Sequence, residues 1–317
     1  MNSKTIAAPA LGRQTLLQRM KRELVMNKYL YIMAIPIVAY FVIFHYMPLY
    51  GAIIAFKDYD VGKGIWGSAW VGFKHFKTFF TGMYFGRLLK NTLIINLYML
   101  IFEFPAPILL ALMLNELRSK KFKSIVQTVS YLPHFISMVV ICGMIVDFCS
   151  REGVVTNILV MLGMERTNIL VDPKYFRAIY VISGIWQQVG WGSILYLSAL
   201  SGIDAELYEA ASIDGAGRFQ KLLHITLPSL VPIIMVLFIM RIGQVMNVGF
   251  EKIILIYNQN TMEVADVIST YVYRKGLLEG TEYSYTTAVG LFNSVLNFIL
   301  LVSANFASKK LTKNSLW

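Results

Sequence analysis

The sequence predicts an all-α integral membrane protein with six transmembrane helices and both termini in the cytoplasm. Three observations predict it. Apolar residues occupy 56% of the 317 positions, and Asp, Glu, Lys and Arg only 15%, against about 25% in a typical soluble domain. Mean hydropathy is +0.58. Six stretches approach or exceed the ~20 apolar residues that a helix needs to cross a bilayer. This composition excludes a disordered chain and argues against an ordinary soluble enzyme. Two cysteines exclude a disulfide scaffold.

Taken in order, the expected spans are Tyr29–Ala55, Leu88–Leu114, Ile125–Val146, Ala178–Gly202, Leu230–Val248 and Tyr285–Phe306. Only the second and fifth hold charges: Lys90 and Glu103 in one, Arg241 in the other. Core helices of a soluble protein show a polar face at period 3.6, whereas these are apolar nearly all round. The run Glu103-Phe104-Pro105-Ala106-Pro107 predicts a kink in the second span.

Orientation follows from Lys and Arg. The chain carries 29 basic against 18 acidic residues, a net +11. In so apolar a chain, that excess belongs to cytoplasmic loops beside anionic lipid. Nucleic-acid binding is the weaker reading, because no basic stripe with interleaved aromatics occurs. Lys4, Arg13, Arg19, Lys21, Arg22 and Lys28 precede the first span, with no apolar run of the kind a cleaved signal would need. Arg118, Lys120, Lys121 and Lys123 follow the second span, and Lys309, Lys310 and Lys313 the sixth. Both ends are therefore expected inside. Leu16, Leu17, Met20 and Leu24 share a helical face opposite the basic residues, which predicts an N-terminal helix lying on the membrane surface; a loose basic tail is the alternative. Residues 57–87 argue the other way, since Lys57, Lys63, Lys74, Lys77 and Arg87 would then be external. Asp58, Asp60, Trp66, Trp70 and several Phe mark that stretch as a folded, partly interfacial element. The expected organisation is a cytoplasmic basic segment 1–28, a six-helix domain 29–306 and a cytoplasmic tail 307–317.

Catalytic chemistry is not apparent. A phosphate-binding loop reads G-x-x-x-x-G-K-[ST], and Gly62-Lys63-Gly64 fails that pattern. There is no H-E-x-x-H and no C-x-x-C. His45, His75, His134 and His224 are scattered, and Cys142 and Cys149 read as packing residues. The chain is expected to be neither an enzyme nor a metal protein.

One polar island between the fourth and fifth spans, residues 204–228, has internal logic. Asp204 can cap a helix from Ala205 to Ile213, with Glu206 and Glu209 in its early turns, where the helix dipole favours negative charge. Gly215 and Gly217 stop or bend the helix and allow another backbone close. A second amphipathic helix follows, and Pro228 sets the start of the fifth span.

The spacing Glu209-Ala210-Ala211, three residues, Gly215, nine residues, Ile225-x-Leu227-Pro228 resembles the EAA motif of ABC-importer permeases, with every fixed position present. The chain looks like a type I importer permease of the carbohydrate-uptake group, which includes the maltose and glycerol-phosphate systems. Trp186, Gly190 and Leu197-Ser198-Ala199-Leu200 extend the likeness. Tyr131-Leu132-Pro133-His134-Phe135, Tyr271-Val272-Tyr273-Arg274 and Ser315-Leu316-Trp317 resemble the polysaccharide-importer branch. The likeness covers roughly residues 25–317. Ile203-Asp204 departs from the family's frequent Ile-Pro, at little cost because Asp also caps a helix.

The resemblance implies a type I ABC importer permease fold in a bacterial cytoplasmic (inner) membrane. Residues 204–228 become a coupling helix seated in a cleft of a separate ATPase. Glu209, Ala210, Ala211, Asp214, Gly215 and Ala216 carry that role. It also implies a second, usually non-identical permease, a pair of ATPase subunits that hold ATP and Mg, an extracytoplasmic solute-binding protein and a carbohydrate substrate. No cofactor is expected in this chain.

Polar residues within spans are costly and mark functional candidates. Gly184, Gln187, Gln188 and Trp191 fall near one face of the fourth span, and Tyr196 lies one to two turns on. Arg241, Gln244 and Asn247 follow i, i+3 spacing in the fifth. Amides bond hydroxyls and an indole stacks on a sugar ring, so these residues are the expected substrate pathway; hydrogen bonding between packed spans is the competing reading. Asn293 and Asn297 read as helix-packing residues. Glu103 and Asp147 read as gate, ion-pair or interface residues. A single Arg241 in the pathway favours an acidic sugar such as an alginate-type uronate chain. Two other function classes stay open: an ion-gradient-driven carrier, and a membrane scaffold or sensor without transport.

Overall fold

The computed structural model describes residues 23, 25–312, 315 and 316. The amphipathic face expected at Leu16, Leu17, Met20 and Leu24 lies outside the described residues. The chain divides into two compact units at Ile53–Ile54. In the first, helix α1 (Lys28–Phe41) passes into a π-helical turn, Val42–Tyr46, and a further helical turn, Met47–Leu49, after which a 3-10 stretch begins at Tyr50.

The second unit begins with the stretch expected to be folded, and it is. Strands β1 (Lys57–Asp58) and β2 (Ala69–Trp70) pair antiparallel, Lys57 opposite Trp70. Phe56 stacks on Trp70 with ring centroids 5.8 Å apart. A helix, Lys74–Thr81, turns His75 inward, where Nε2 pairs with the Lys57 carbonyl at 3.0 Å. Lys74 donates to Asp58 Oδ2 at 2.9 Å and holds that carboxyl below its usual range.

Among the described residues, four helical runs are long and apolar enough to cross a membrane: Lys28–Phe56, Phe85–Glu116, Arg218–Ile242 and Tyr283–Lys310. The second is α2 (Phe85–Tyr98), a π-helical turn Met99–Glu103, and α3 (Pro105–Glu116). The kink expected from Pro105 takes this form. Proline lacks an N–H and its ring presses on the carbonyl four residues back. The helix widens, so that Phe104 N–H reaches Met99 O at 2.9 Å. The same device precedes Pro48, at Val42–Tyr46, and Pro228, at Leu222–Thr226.

The third expected span is not one helix. Residues Lys120–Phe135, which include α4 (Lys120–Tyr131), and residues Met138–Met161, which include α5 (Met138–Cys149), meet at 102°. Pro133 tightens the end of the first run to a 3-10 turn, and Ser137 caps the next by accepting from Val140 N–H. Counted as one broken span, this pair makes five. The fourth expected span is α6 (Pro173–Ser201), whose 29 residues reach about 43 Å. It is started by Asp172, which caps Lys174 N–H at 2.9 Å. Its glutamines, glycines and serines dilute its apolar content, and it is not among the four runs above.

The fifth expected span is shifted. Helix α7 (Ala205–Ile213) ends at Gly215, and α8 (Arg218–Lys221) then runs without interruption through the Pro228 widening into α9 (Leu227–Ile242). The helix stops at Gly243, six residues short of the expected end at Val248. A Cβ at Gly243 would lie 2.7 Å from Leu301 Cδ1 of α12 (Tyr283–Thr312), so the chain turns where the two helices touch.

Between α9 and α12 lie α10 (Phe250–Ile256) and α11 (Ile268–Tyr273). This segment is anchored by a fully buried Asp266. Arg274 grips both its oxygens at 3.1 and 2.7 Å, Thr270 donates to it at 2.8 Å, and Arg87 of α2 stands at 3.7 Å. Asn91 ties the same turn through the Asp266 carbonyl at 3.0 Å. Such a pair is favourable only when its hydrogen bonds are filled, and here every carboxylate oxygen has a donor. Asn293 and Asn297 act as expected for packing residues: Asn293 donates to Asn247 Oδ1 at 2.7 Å, and Asn297 accepts from Met246 N–H at 2.9 Å.

Candidate functional site

Helix α6 is the spine of the site. It crosses α4 so closely that a Cβ on Gly190 would overlap the Ser130 carbonyl oxygen. On the α3 side, Gly192 abuts Pro107, and a Cβ on Gly184 would lie 2.9 Å from Glu103 Oε2. These small positions let α6 approach its neighbours.

Two adjoining concavities result. One, about 420 Å³, is lined by Gln188, Trp191, Tyr196, Arg241 and Gln244. The other, about 360 Å³, is lined by Gln187, Gln188, Arg241 and Asn247. Glu103, Gln188 and Arg241 line both. Gly184 also lines the smaller one, so the structure brings together all eight residues singled out on the fourth and fifth spans. Gln187 and Tyr196 are buried, Trp191 is exposed, and Arg241 is half-buried.

Several already hold partners. His134 lies parallel to the Trp191 indole, centroids 4.4 Å apart, and its Nδ1 pairs with Gln188 Oε1 at 3.0 Å. Phe135 meets the same indole edge-on at 5.6 Å. Arg241 donates to the Met99 sulfur at 3.4 Å. Among the described residues, neither Glu103 nor Asp147 forms an ion pair with Arg241, and Asp147 is exposed on α5. The Oε2 of Glu103 is buried without a hydrogen-bond partner among the described residues.

Sequence reasoning missed Lys252. It lies on α10, 5% exposed, donates to the Tyr180 carbonyl at 2.9 Å and sits over the Tyr180 ring at 4.7 Å. It lines the smaller concavity, and a Cβ on Gly184 would lie 3.5 Å from its Nζ. The site therefore holds two basic residues, Arg241 and Lys252, and two acidic ones, Glu103 and Glu251. The one available signal was a lysine beside the apolar run Ile253–Ile256.

The 204–228 loop is a separate, exposed feature. Asp204 caps α7 as expected, accepting from Glu206 N–H at 3.0 Å. The helix closes with Ala216 N–H on Ala211 O at 2.8 Å and Gly215 N–H on Ser212 O at 3.2 Å. That double bond pattern requires a left-handed residue after the cap, and Gly215 supplies it with φ +80°. Gly217 does not need its freedom, with φ −71°. Tyr208 Oη pairs with Thr226 Oγ1 at 3.0 Å, and Lys221 donates to Ser212, so the two helices are held as one piece. Glu209, Ala210, Asp214 and Gly215 are exposed, with Ala211 and Ala216 half-buried. Ile213 and Phe219 project apolar surface, 87% and 69% exposed.

Comparison with known proteins agrees with this architecture. The chain is 46% identical over 292 residues to Protein LplB of Bacillus subtilis (strain 168), covering 92% of each. It is 43% identical over 301 residues to that organism's polygalacturonan/rhamnogalacturonan transport system permease protein YteP, covering 95% of this chain and 94% of the relative. A chain in the crystal structure of a bacterial ABC transporter involved in the import of the acidic polysaccharide alginate superposes with TM-score 0.86 at 45% identity, covering 93% of this chain and 99% of that one. Residues 103–313 match a family described as the binding-protein-dependent transport system inner membrane component. With several helices apolar enough to cross a bilayer and two thirds of its length in that match, the chain belongs to this family of inner-membrane transport permeases.

Proposed function

We propose that the chain is one permease subunit of an ATP-driven importer of acidic oligosaccharides. It forms half of the translocation pathway and couples to a separate ATPase through residues 204–228. In this reading the six-span topology holds, α6 and the broken pair Lys120–Met161 included, with both termini cytoplasmic. A second permease completes the pathway. ATP and Mg bind the partner ATPase, and a solute-binding protein delivers the sugar from outside. YteP and the alginate importer, by their names, handle acidic polysaccharides, which supports the substrate class.

The observation that carries the proposal is the convergence of Gln187, Gln188, Trp191, Arg241, Gln244 and Asn247 on two concavities that share Arg241. Amides can exchange hydrogen bonds with sugar hydroxyls, and a guanidinium without a carboxylate partner can bind a uronate. The test is Arg241→Gln in an assembled complex, assayed with matched acidic and neutral oligosaccharides. Uptake of the acidic sugar should fall at least tenfold more than that of the neutral one. Equal losses would remove the argument for an anionic substrate.

A further inference from the structure

A third concavity, about 640 Å³, opens on α6 away from the coupling loop. Its walls are Tyr98 and Phe102 on one side and Ile182 and Ile185 on the other, and Lys174 and Arg177 stand at one end. Phe102 and Ile182 are 56% and 66% exposed, so the groove is open along its length. None of these residues belongs to the two polar concavities.

We propose that this groove holds a phospholipid with an anionic headgroup. Two features select that occupant. The first is length. Lys174 to Ile185 spans eleven residues of α6, about 16 Å along the axis. One leaflet of hydrocarbon, half of the ~30 Å core, has the same depth. The second is charge. Lys174 forms no ion pair among the described residues. Arg177 donates to Asn91 Oδ1 at 2.9 Å, and its Nε is buried without a hydrogen-bond partner among the described residues. Asp172, the nearest acid in sequence, uses an oxygen to cap the helix. The cations therefore sit where an α6 starting at the membrane surface would meet phosphate, and the apolar walls run where an acyl chain would lie. Arg177 is joined through Asn91 to the turn at Asp266, so an occupied headgroup site braces the segment between α9 and α12.

The test uses the assembled transporter in nanodiscs of equal phosphatidylglycerol and phosphatidylcholine, purified into detergent, with retained lipid read by mass spectrometry. The wild-type complex should retain phosphatidylglycerol with roughly tenfold preference. Lys174→Gln, at an exposed position that leaves the Asn91 contact alone, should cut that preference several-fold. Ile182→Trp, which fills the groove, should release both lipids. A photoreactive residue at 182 should give a lipid adduct. An adduct with another polypeptide, or retention without headgroup preference, would overturn the proposal.

Discussion

The imidazole of His134 lies flat on the indole of Trp191, planes 1° apart and centroids 4.4 Å apart. One face of the ring is thus already covered, and Phe135 closes an edge. A sugar can use only the opposite face. Stacking of this kind is worth about 0.5–1.5 kcal/mol, so Trp191→Ala should raise the transport KM up to about tenfold for acidic and neutral sugars alike. Transport kinetics on assembled complexes check this; an unchanged KM would make Trp191 a packing residue only.

The 204–228 loop makes a sharper distinction between side chains. Nothing lies within 4 Å of a Cβ at Gly215, so the constraint inside this chain is its φ of +80°. A left-handed L-residue costs about 1–2 kcal/mol, and Asn bears it better than most. Gly215→Asn should retain most uptake. Gly215→Val, and Glu209→Lys, should lose uptake at least tenfold while inserting normally into the membrane. Near-normal uptake by the Val and Lys variants would refute a coupling role.

Gly190 is constrained from the opposite direction. A methyl group there meets the Ser130 backbone, which no rotamer change can relieve. Overpacking of this kind costs about 1–3 kcal/mol or more. Gly190→Ala should lower the yield of folded, monodisperse protein, whereas Gly143→Ala on α5, with open space around it, should not. Size-exclusion profiles after detergent extraction make the comparison, and equal yields would contradict the close α4–α6 crossing.

Much of this was legible in the sequence, for identifiable reasons. A polar side chain in an apolar run is conspicuous, so Gln187, Gln188, Arg241 and Gln244 could be picked out, and helix periodicity placed them on common faces. Pro105 announced a distortion. The 102° break after Phe135 was hidden, because Pro133 and Ser137 are compatible with either a kinked span or two helices. Lys252 escaped because it lies beyond the expected end of the fifth span, and only the early stop at Gly243 folds it back beside Glu103. The His134–Trp191 stack joins residues on different helices, and no local pattern encodes such a pair. Asp266 was likewise unremarkable until Arg87, Thr270 and Arg274 were seen around it.

The central claim, a permease half driven by a separate ATPase, is tested most directly by reconstitution. The chain, its partner permease and their ATPase are placed in proteoliposomes with ATP enclosed and a loaded solute-binding protein outside. The account predicts that the binding protein raises ATP hydrolysis several-fold, and that acidic oligosaccharide accumulates only with ATP and without an ion gradient. Accumulation driven by a proton or sodium gradient in the absence of ATP would contradict it and favour a secondary carrier.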